Sequence, residues 1–367
     1  MKDLSFPEEV LKSRLVAFQE KISSMGLDGV MLRTLSSFKY FTGMKWLRPA
    51  LFIPPSGEPL AFVVKGEEQG FMERTWIKNV ITFIDGGDLI AKVVNTLKAH
   101  KVRKVGMEFG IEKDAYTLFY EMFKKVNKDV EVVDVGPILA DMRLLKDDYE
   151  LNAIREAGRK ATKAMEKALD IIRLGVRETE IAAEAYATLY RSGSEEPRVL
   201  VNAGPHPRIH SEPSSDSIIK ENTFVVIVIA ADHGGYYANM ARTLFIGRKP
   251  NDLAIKAMKC TEEVYERATE LTKPGTKFAD VIRELDKVYN AHELKDRRIV
   301  GYAHGVGLQI EETPITTILP VHRFMEVKPR MVLAAVHSPI MCEGLGQIKK
   351  EDTFIVKENG ELEKVTV

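Results

Sequence analysis

The stretch VVIVIAADHGGYYANMART, Val225 to Thr243, most narrows what this chain can fold into. A run of apolar, β-branched residues reaches Asp232 and His233, meets Gly234 and Gly235, and returns through Tyr236, Tyr237 and Met240 to Arg242-Thr243. Glycine supplies the backbone freedom that a tight turn needs, so the pattern specifies a long hairpin. Amphipathic helical patterns flank it on both sides, which makes this part of the chain α+β.

The first part reads differently. PEEVLKSRLVAFQEKISSMG has Val10, Leu11, Leu15, Val16, Phe18 and Ile22 at helical spacing, with Gly26 as a stop. Strand-like DGVMLR follows, then PALFIPPSGEPLAFVV as two strands about a Pro-Ser-Gly turn, then NVITFID. DLIAKVVNTLKAHK and DAYTLFYEMFKKVN read as helices, KVGMEF and VEVVDV as strands. Such alternation predicts an α/β domain over residues 1–138 with a mixed or parallel sheet. A Gly-Pro break at Gly136-Pro137 precedes a long amphipathic helix from about Asp147 to Arg173, and an α+β domain over 139–367. That second domain shows a coarse repeat of paired helices followed by strands.

At 367 residues, 45% hydrophobic and 29% charged, the chain is globular and long enough for two domains. Lys plus Arg and Asp plus Glu number 53 each, so no overall charge favours nucleic acid or an anionic membrane. The N-terminus lacks the apolar core of a signal peptide, and Phe224–Ala231 is too short to span a bilayer. The expectation is a cytoplasmic protein. Cys260 and Cys342 are expected as free thiols. Gln occurs four times beside abundant Lys and Glu, the bias of proteins from hot environments.

Several segments from Arg143 onward resemble the family of methionine aminopeptidase, Xaa-Pro aminopeptidase, Xaa-Pro dipeptidase (prolidase) and creatinase. They are MRLLKDDYELNAIREA, ETEIAAE, HSEPSS with the hairpin, AHGVGLQIEETP, VKPRMVLAAVHSPI and IKKEDTFIV. The resemblance implies a pita-bread catalytic domain behind a creatinase/prolidase-type N-terminal domain. It also implies a homodimer in which the N-terminal domain of one subunit caps the pocket of the other. The family's peptidases hold two divalent metals on Asp, Asp, His, Glu and Glu in that order. Carried onto this chain, these positions hold Val228, Asn239, His304, His337 and Glu351. The resemblance places the active-site His on His210, and Glu311 where the peptidases often have a second catalytic His.

Two buried dications need about four carboxylates for neutrality, and the matched positions offer one, Glu351. A paired metal site is not expected. A single zinc, manganese or cobalt ion on His304, His337 and Glu351, with Asn239 as a neutral extra ligand, is one expectation. A metal-free site, as in creatinase, is the other. His210 would then shuttle the proton, with Glu351 and Glu311 gripping an amidine, guanidine or amine. His206, Asn239, Arg242 and His304 are expected to contact the small-molecule or dipeptide substrate. Five of the eight His (206, 210, 233, 304, 337) fall in these segments, which favours a polar pocket. His206 and His233 read as exposed loop residues, Arg242 as a salt-bridge partner, Val228 as an ordinary buried strand residue, and Gly234, Gly235, Gly305 and Gly307 as turn or close-packing glycines. The function read from the sequence is hydrolysis of a small C–N substrate. The alternative is a catalytically inactive pseudoenzyme that binds a small ligand or a protein partner.

Overall fold

The computed structural model describes residues 6–46, 49–110, 115–209 and 212–367, without the side chains of 115 and 116. The chain divides into two compact units, Met1–Met142 and Arg143–Val367.

The first unit runs α1 (Glu8–Ser24), β1 (Gly29–Leu32), α2 (Leu35–Thr42), β2 (Leu51–Ile53), β3 (Leu60–Val64), α3 (Glu68–Arg74), β4 (Val80–Phe83), α4 (Gly86–Ala99), β5 (Lys104–Met107), α5 (Ala115–Val126) and β6 (Glu131–Asp134), and ends in α6 (Gly136–Leu144). Its six-stranded sheet has the order β4-β3-β2-β1-β5-β6. The sheet is mixed: β2 pairs antiparallel with β1 and β3, while β1–β5, β5–β6 and β3–β4 are parallel. Met31, Phe52, Phe62, Val105 and Met107 of the sheet pack with Leu89, Ile90, Val93 and Leu97 of α4 and Phe119 and Phe123 of α5. In α1 the buried apolar stripe is Leu11, Leu15, Phe18 and Ile22, one face of a 3.6-residue period.

Three helices of this unit, α2, α3 and α6, escape pattern reading. From Ser36 to Thr42, α2 is buried on every side, so its sequence LSSFKYFT carries no amphipathic period. The Gly-Pro pair expected to interrupt the chain instead opens α6, with Pro137 in its first turn, where a missing N–H costs nothing.

The second unit begins with α7 (Asp148–Asp170). Asp147 caps it reciprocally: Glu150 N donates to Asp147 Oδ1 at 2.9 Å, and Asp147 N donates to Glu150 Oε2 at 2.8 Å. Next come α8 (Glu178–Arg191), β7 (Arg198–Ala203), β8 (Thr223–His233) and β9 (Tyr236–Ile246). The β8–β9 hairpin pairs from Thr223↔Ile246 to His233↔Tyr236, and its turn residues Gly234 and Gly235 have φ of 55° and 79°. Both central residues in the left-handed region match the right-handed strand twist, which explains the glycine pair.

The chain continues through α9 (Asp252–Leu271), α10 (Phe278–Ala291), β10 (Ala303–Gly305), β11 (Glu312–Ile315), β12 (Val332–Ala335), β13 (Ile340–Cys342), β14 (Gly346–Ile348), β15 (Asp352–Val356) and β16 (Leu362–Lys364). A second sheet has the order β11-β10-β12-β15-β16. Each helix pair has its own core: α7 and α8 pack on β7–β9, while α9 and α10 pack with residues of β10, β12, β13 and β15.

The two sheets meet along β9. Ala241 and Glu351 form an antiparallel bridge, with Ala241 N donating to Glu351 O at 3.0 Å. Either side of it, Thr243 Oγ1 accepts from Lys349 N at 2.9 Å, and Asn239 N donates to Thr353 Oγ1 at 2.8 Å.

Gly158 lies where α7 meets the C-terminal segment, and a Cβ there would fall on the backbone of Val365, well inside contact distance. Helix propensity alone would reward Gly158→Ala by about 1 kcal/mol. The expected result is the opposite sign, a net loss of roughly 1–3 kcal/mol from overpacking, read as a lower denaturant midpoint. An unchanged or raised midpoint contradicts the packing described.

Candidate functional site

β10 lies between β11 and β12, so His304 is enclosed on both sides, opposite Ala334 on β12 and Ile315 on β11. Its approach to β11 is close: a Cβ on Gly305 would strike the Thr313 backbone, and one on Gly307 would strike the Glu312 carboxylate. His304 is 1% exposed. Its Nδ1 lies 2.9 Å from Gly305 O, an atom that can only accept, so Nδ1 carries the proton. In the neutral ring Nε2 presents a lone pair, and it has no hydrogen-bond partner among the described residues.

His337 follows β12 by two residues and is held by its backbone, N to Tyr302 O at 2.7 Å. Its ring stands perpendicular to that of His304, centroids 4.5 Å apart. Nδ1 of His337 is 2.8 Å from Glu351 Oε2, and Nε2 is 3.6 Å from Glu311 Oε1. The ligand atoms of His304, His337 and Glu351 all lie within 4.8 Å of one another.

A fourth group completes this cluster. Lys349 Nζ is 2.9 Å from Glu351 Oε2 and 3.2 Å from His337 Nδ1, with its side chain 4% exposed. A neutral imidazole has one proton to give. Placed on Nδ1 it satisfies the 2.8 Å contact with Glu351, whereas a lone pair there would face a carboxylate oxygen. Glu351 Oε2 thus accepts from both His337 and Lys349. Burial pushes the His337 imidazole down to about 3, assisted by the Lys349 cation and opposed by Glu351. Burial would raise the Glu351 carboxyl, but Lys349 and His337 together outweigh it and hold the group well below the usual carboxylate range. The cluster is therefore one ammonium, one carboxylate and neutral His337 beside His304.

Asn239 is buried on β9, two positions before Ala241, so strand alternation puts it on the same face of β9 as Ala241, the residue bridged to Glu351. Its Nδ2 donates to Ile310 O at 2.8 Å, and its Oδ1 has no partner among the described residues. Val228 sits on β8 opposite Ala241 and offers no donor atom. Glu311 and Glu312 serve different partners: Glu311 reaches His337, while Glu312 is buried between Arg143 Nη2 at 2.6 Å and Lys146 Nζ at 2.7 Å.

The structure brings together His304, His337, Glu351 and Glu311 of the residues expected from sequence. Arg242 is committed to structure, donating to Asp352 Oδ1 at 2.8 Å and Glu351 O at 2.9 Å. His206 is exposed and contacts Glu343 at 2.6 Å. His210 lies outside the described residues. Lys349 escapes the sequence reading: it lies in the short connection between β14 and β15, two residues before Glu351.

Residues 152–358 match the family model described as metallopeptidase family M24, and residues 14–145 match the creatinase/prolidase N-terminal domain. The chain is similar to the Xaa-Pro dipeptidase of Pyrococcus furiosus, 26% identical over 357 residues, 95% of this chain and 97% of the relative. It is 24% identical to a creatinase of Bacillus sp. over 398 residues, 97% of this chain and 90% of the relative. The crystal structure of the prolidase from Pyrococcus horikoshii superposes with a TM-score of 0.84 at 22% identity, covering 98% of both chains. The α/β unit followed by an α+β unit is thus the creatinase-type N-terminal domain and the pita-bread domain, and the chain belongs to metallopeptidase family M24.

Proposed function

We propose that this protein hydrolyses a C–N bond in a small substrate rich in hydrogen-bond donors, an amidine, guanidine or amine-bearing peptide. The observation that carries the reading is a pair of buried acceptors with no partner among the described residues, His304 Nε2 and Asn239 Oδ1. A buried unpaired acceptor costs about 1–3 kcal/mol, and a ligand N–H or a water removes that cost. Glu311 adds a carboxylate 3.6 Å from His337 Nε2, a gap that suits a bridging water or a substrate N–H. Acceptors thus predominate over donors around the cluster, because Lys349 is already bound to Glu351. A ligand that brings N–H groups and positive charge complements it.

In this reading His304, Asn239 and Glu311 bind and orient the substrate, and Lys349 and Glu351 hold the His337 ring. His210 takes the proton of the attacking water and returns it to the leaving nitrogen, as the resemblance to creatinase implies. The C–O bond forms as the C–N bond breaks, and no redox partner is needed.

The test is a panel of amidines, guanidines and Xaa-Pro dipeptides, read by amine release and by ligand-induced shifts in Tm. The expected result is turnover of a cationic member without added metal. Asn239→Ala and Glu311→Gln should each raise its KM about 10- to 100-fold, the loss of one hydrogen bond to a charged group. Fast turnover confined to Xaa-Pro dipeptides with cobalt or manganese would overturn the proposal. Ligand-induced Tm shifts with no turnover of any member would replace it with the binding-protein reading.

A further inference from the structure

We infer that Lys349 fills the place of a cation in this pocket, so that His304, His337 and Glu351 do not take up a divalent metal in the wild-type protein. The three donors are close enough to share one ion, with ligand atoms within 4.8 Å. Their single carboxylate is already neutralised. Glu351 Oε2 accepts from Lys349 Nζ at 2.9 Å and from His337 Nδ1 at 2.8 Å.

The ammonium is built in. Lys349 is 4% exposed, and its backbone is clamped on β9 by Thr243, which accepts from Lys349 N at 2.9 Å and donates to Lys349 O at 2.7 Å. An added dication would set three positive charges beside one buried carboxylate, and the further anion facing His337, Glu311, is only part-buried. Val228 supplies nothing, and Asn239 supplies a neutral oxygen. Desolvated like charges at this range are strongly unfavourable. Lys349 is therefore a positioning residue: it neutralises Glu351, and Glu351 in turn orients His337.

If the lysine is what excludes the ion, removing it should create a metal site in a protein that lacks one. The test uses Co²⁺ as probe, read by equilibrium dialysis and by the visible d–d bands of a tetrahedral or five-coordinate site. Wild type and Lys349→Arg are expected to retain under about 0.1 equivalent, and Lys349→Gln about one equivalent, lost again in the Lys349→Gln/His304→Ala double variant. Should Lys349→Gln not fold, Lys349→Glu supplies a second carboxylate and is expected to fold, or to rise in Tm by several degrees, when Co²⁺ is added.

One equivalent bound by wild type and removed by His304→Ala would overturn the inference. So would a Lys349 variant that folds and gains neither Co²⁺ nor thermal stability. Turnover is not read in this experiment. Failure here leaves the proposed hydrolysis standing, and an inactive protein leaves the role of Lys349 standing.

Discussion

Glu312→Ala is expected to lower stability by about 3–5 kcal/mol, the range for breaking a buried ion pair from one side. Glu312 is buried, with Arg143 and Lys146 bonded to its two oxygens at 2.6 and 2.7 Å and both cations nearly without exposure. Removing the carboxylate leaves two buried cations facing each other. Glu312→Gln should be almost as damaging, because an amide cannot supply the charge. Replacing all three residues with apolar side chains of similar volume should recover most of the loss, since the pairing offsets desolvation and little more. Urea unfolding of the three variants checks this, and a loss under about 1 kcal/mol for Glu312→Ala would contradict the geometry. The sign with pH is fixed as well. Burial alone would raise the Glu312 carboxyl, but the two cations hold it below its ordinary value. Its contribution is thus full above about pH 4.5 and is lost as pH falls through the lower folded value.

The second large effect is the pH dependence set by His337. An unfolded imidazole titrates near 6.5, and burial with the neighbouring Lys349 pushes the folded one down to about 3. Between those values the unfolded chain binds one proton more than the native protein does. Stability is therefore complete above about pH 6.5 and falls as pH drops toward 3, by up to about 1.4 kcal/mol per pH unit. Glu351, also held low, adds its own loss only below its unfolded value near 4.5. The window from pH 6.5 to 5 belongs to His337 within this pair. His337→Gln, compared with wild type by urea unfolding at pH 5.0 and 6.5, should flatten the difference by about 1–2 kcal/mol. Equal pH slopes in the two proteins would mean that His337 is not held neutral.

Much of this was legible from the residues. The hairpin could be read because Gly234 and Gly235 are the pair that a two-residue turn demands. So could α7, because its cap at Asp147 and Glu150 and its buried stripe agree. Burial defeated the reading of α2, since a helix enclosed on all sides has no polar face to reveal it. The site divides in the same way. His304 and Glu351 stand out through their motif context, and Val228 and Asn239 stand where the family resemblance implies acids. Lys349 was hidden by a sound default: lysine is ordinarily solvated, and it is long-range pairing of the Lys349–Glu351 segment with Ala241 and Thr243 that sets it beside β9. Glu312 was hidden likewise, because its partners Arg143 and Lys146 lie about 170 positions earlier in the chain.

The positive charge beside Glu351 is either the Lys349 ammonium or a metal ion. Anomalous diffraction from wild-type crystals grown in Zn²⁺, recorded above and below the zinc edge, decides between them most directly. The prediction is no anomalous peak among His304, His337 and Glu351, with Lys349 Nζ held on the carboxylate. A full-occupancy peak about 2.0–2.2 Å from His304 Nε2 and a Glu351 oxygen, with Lys349 turned away, would contradict it.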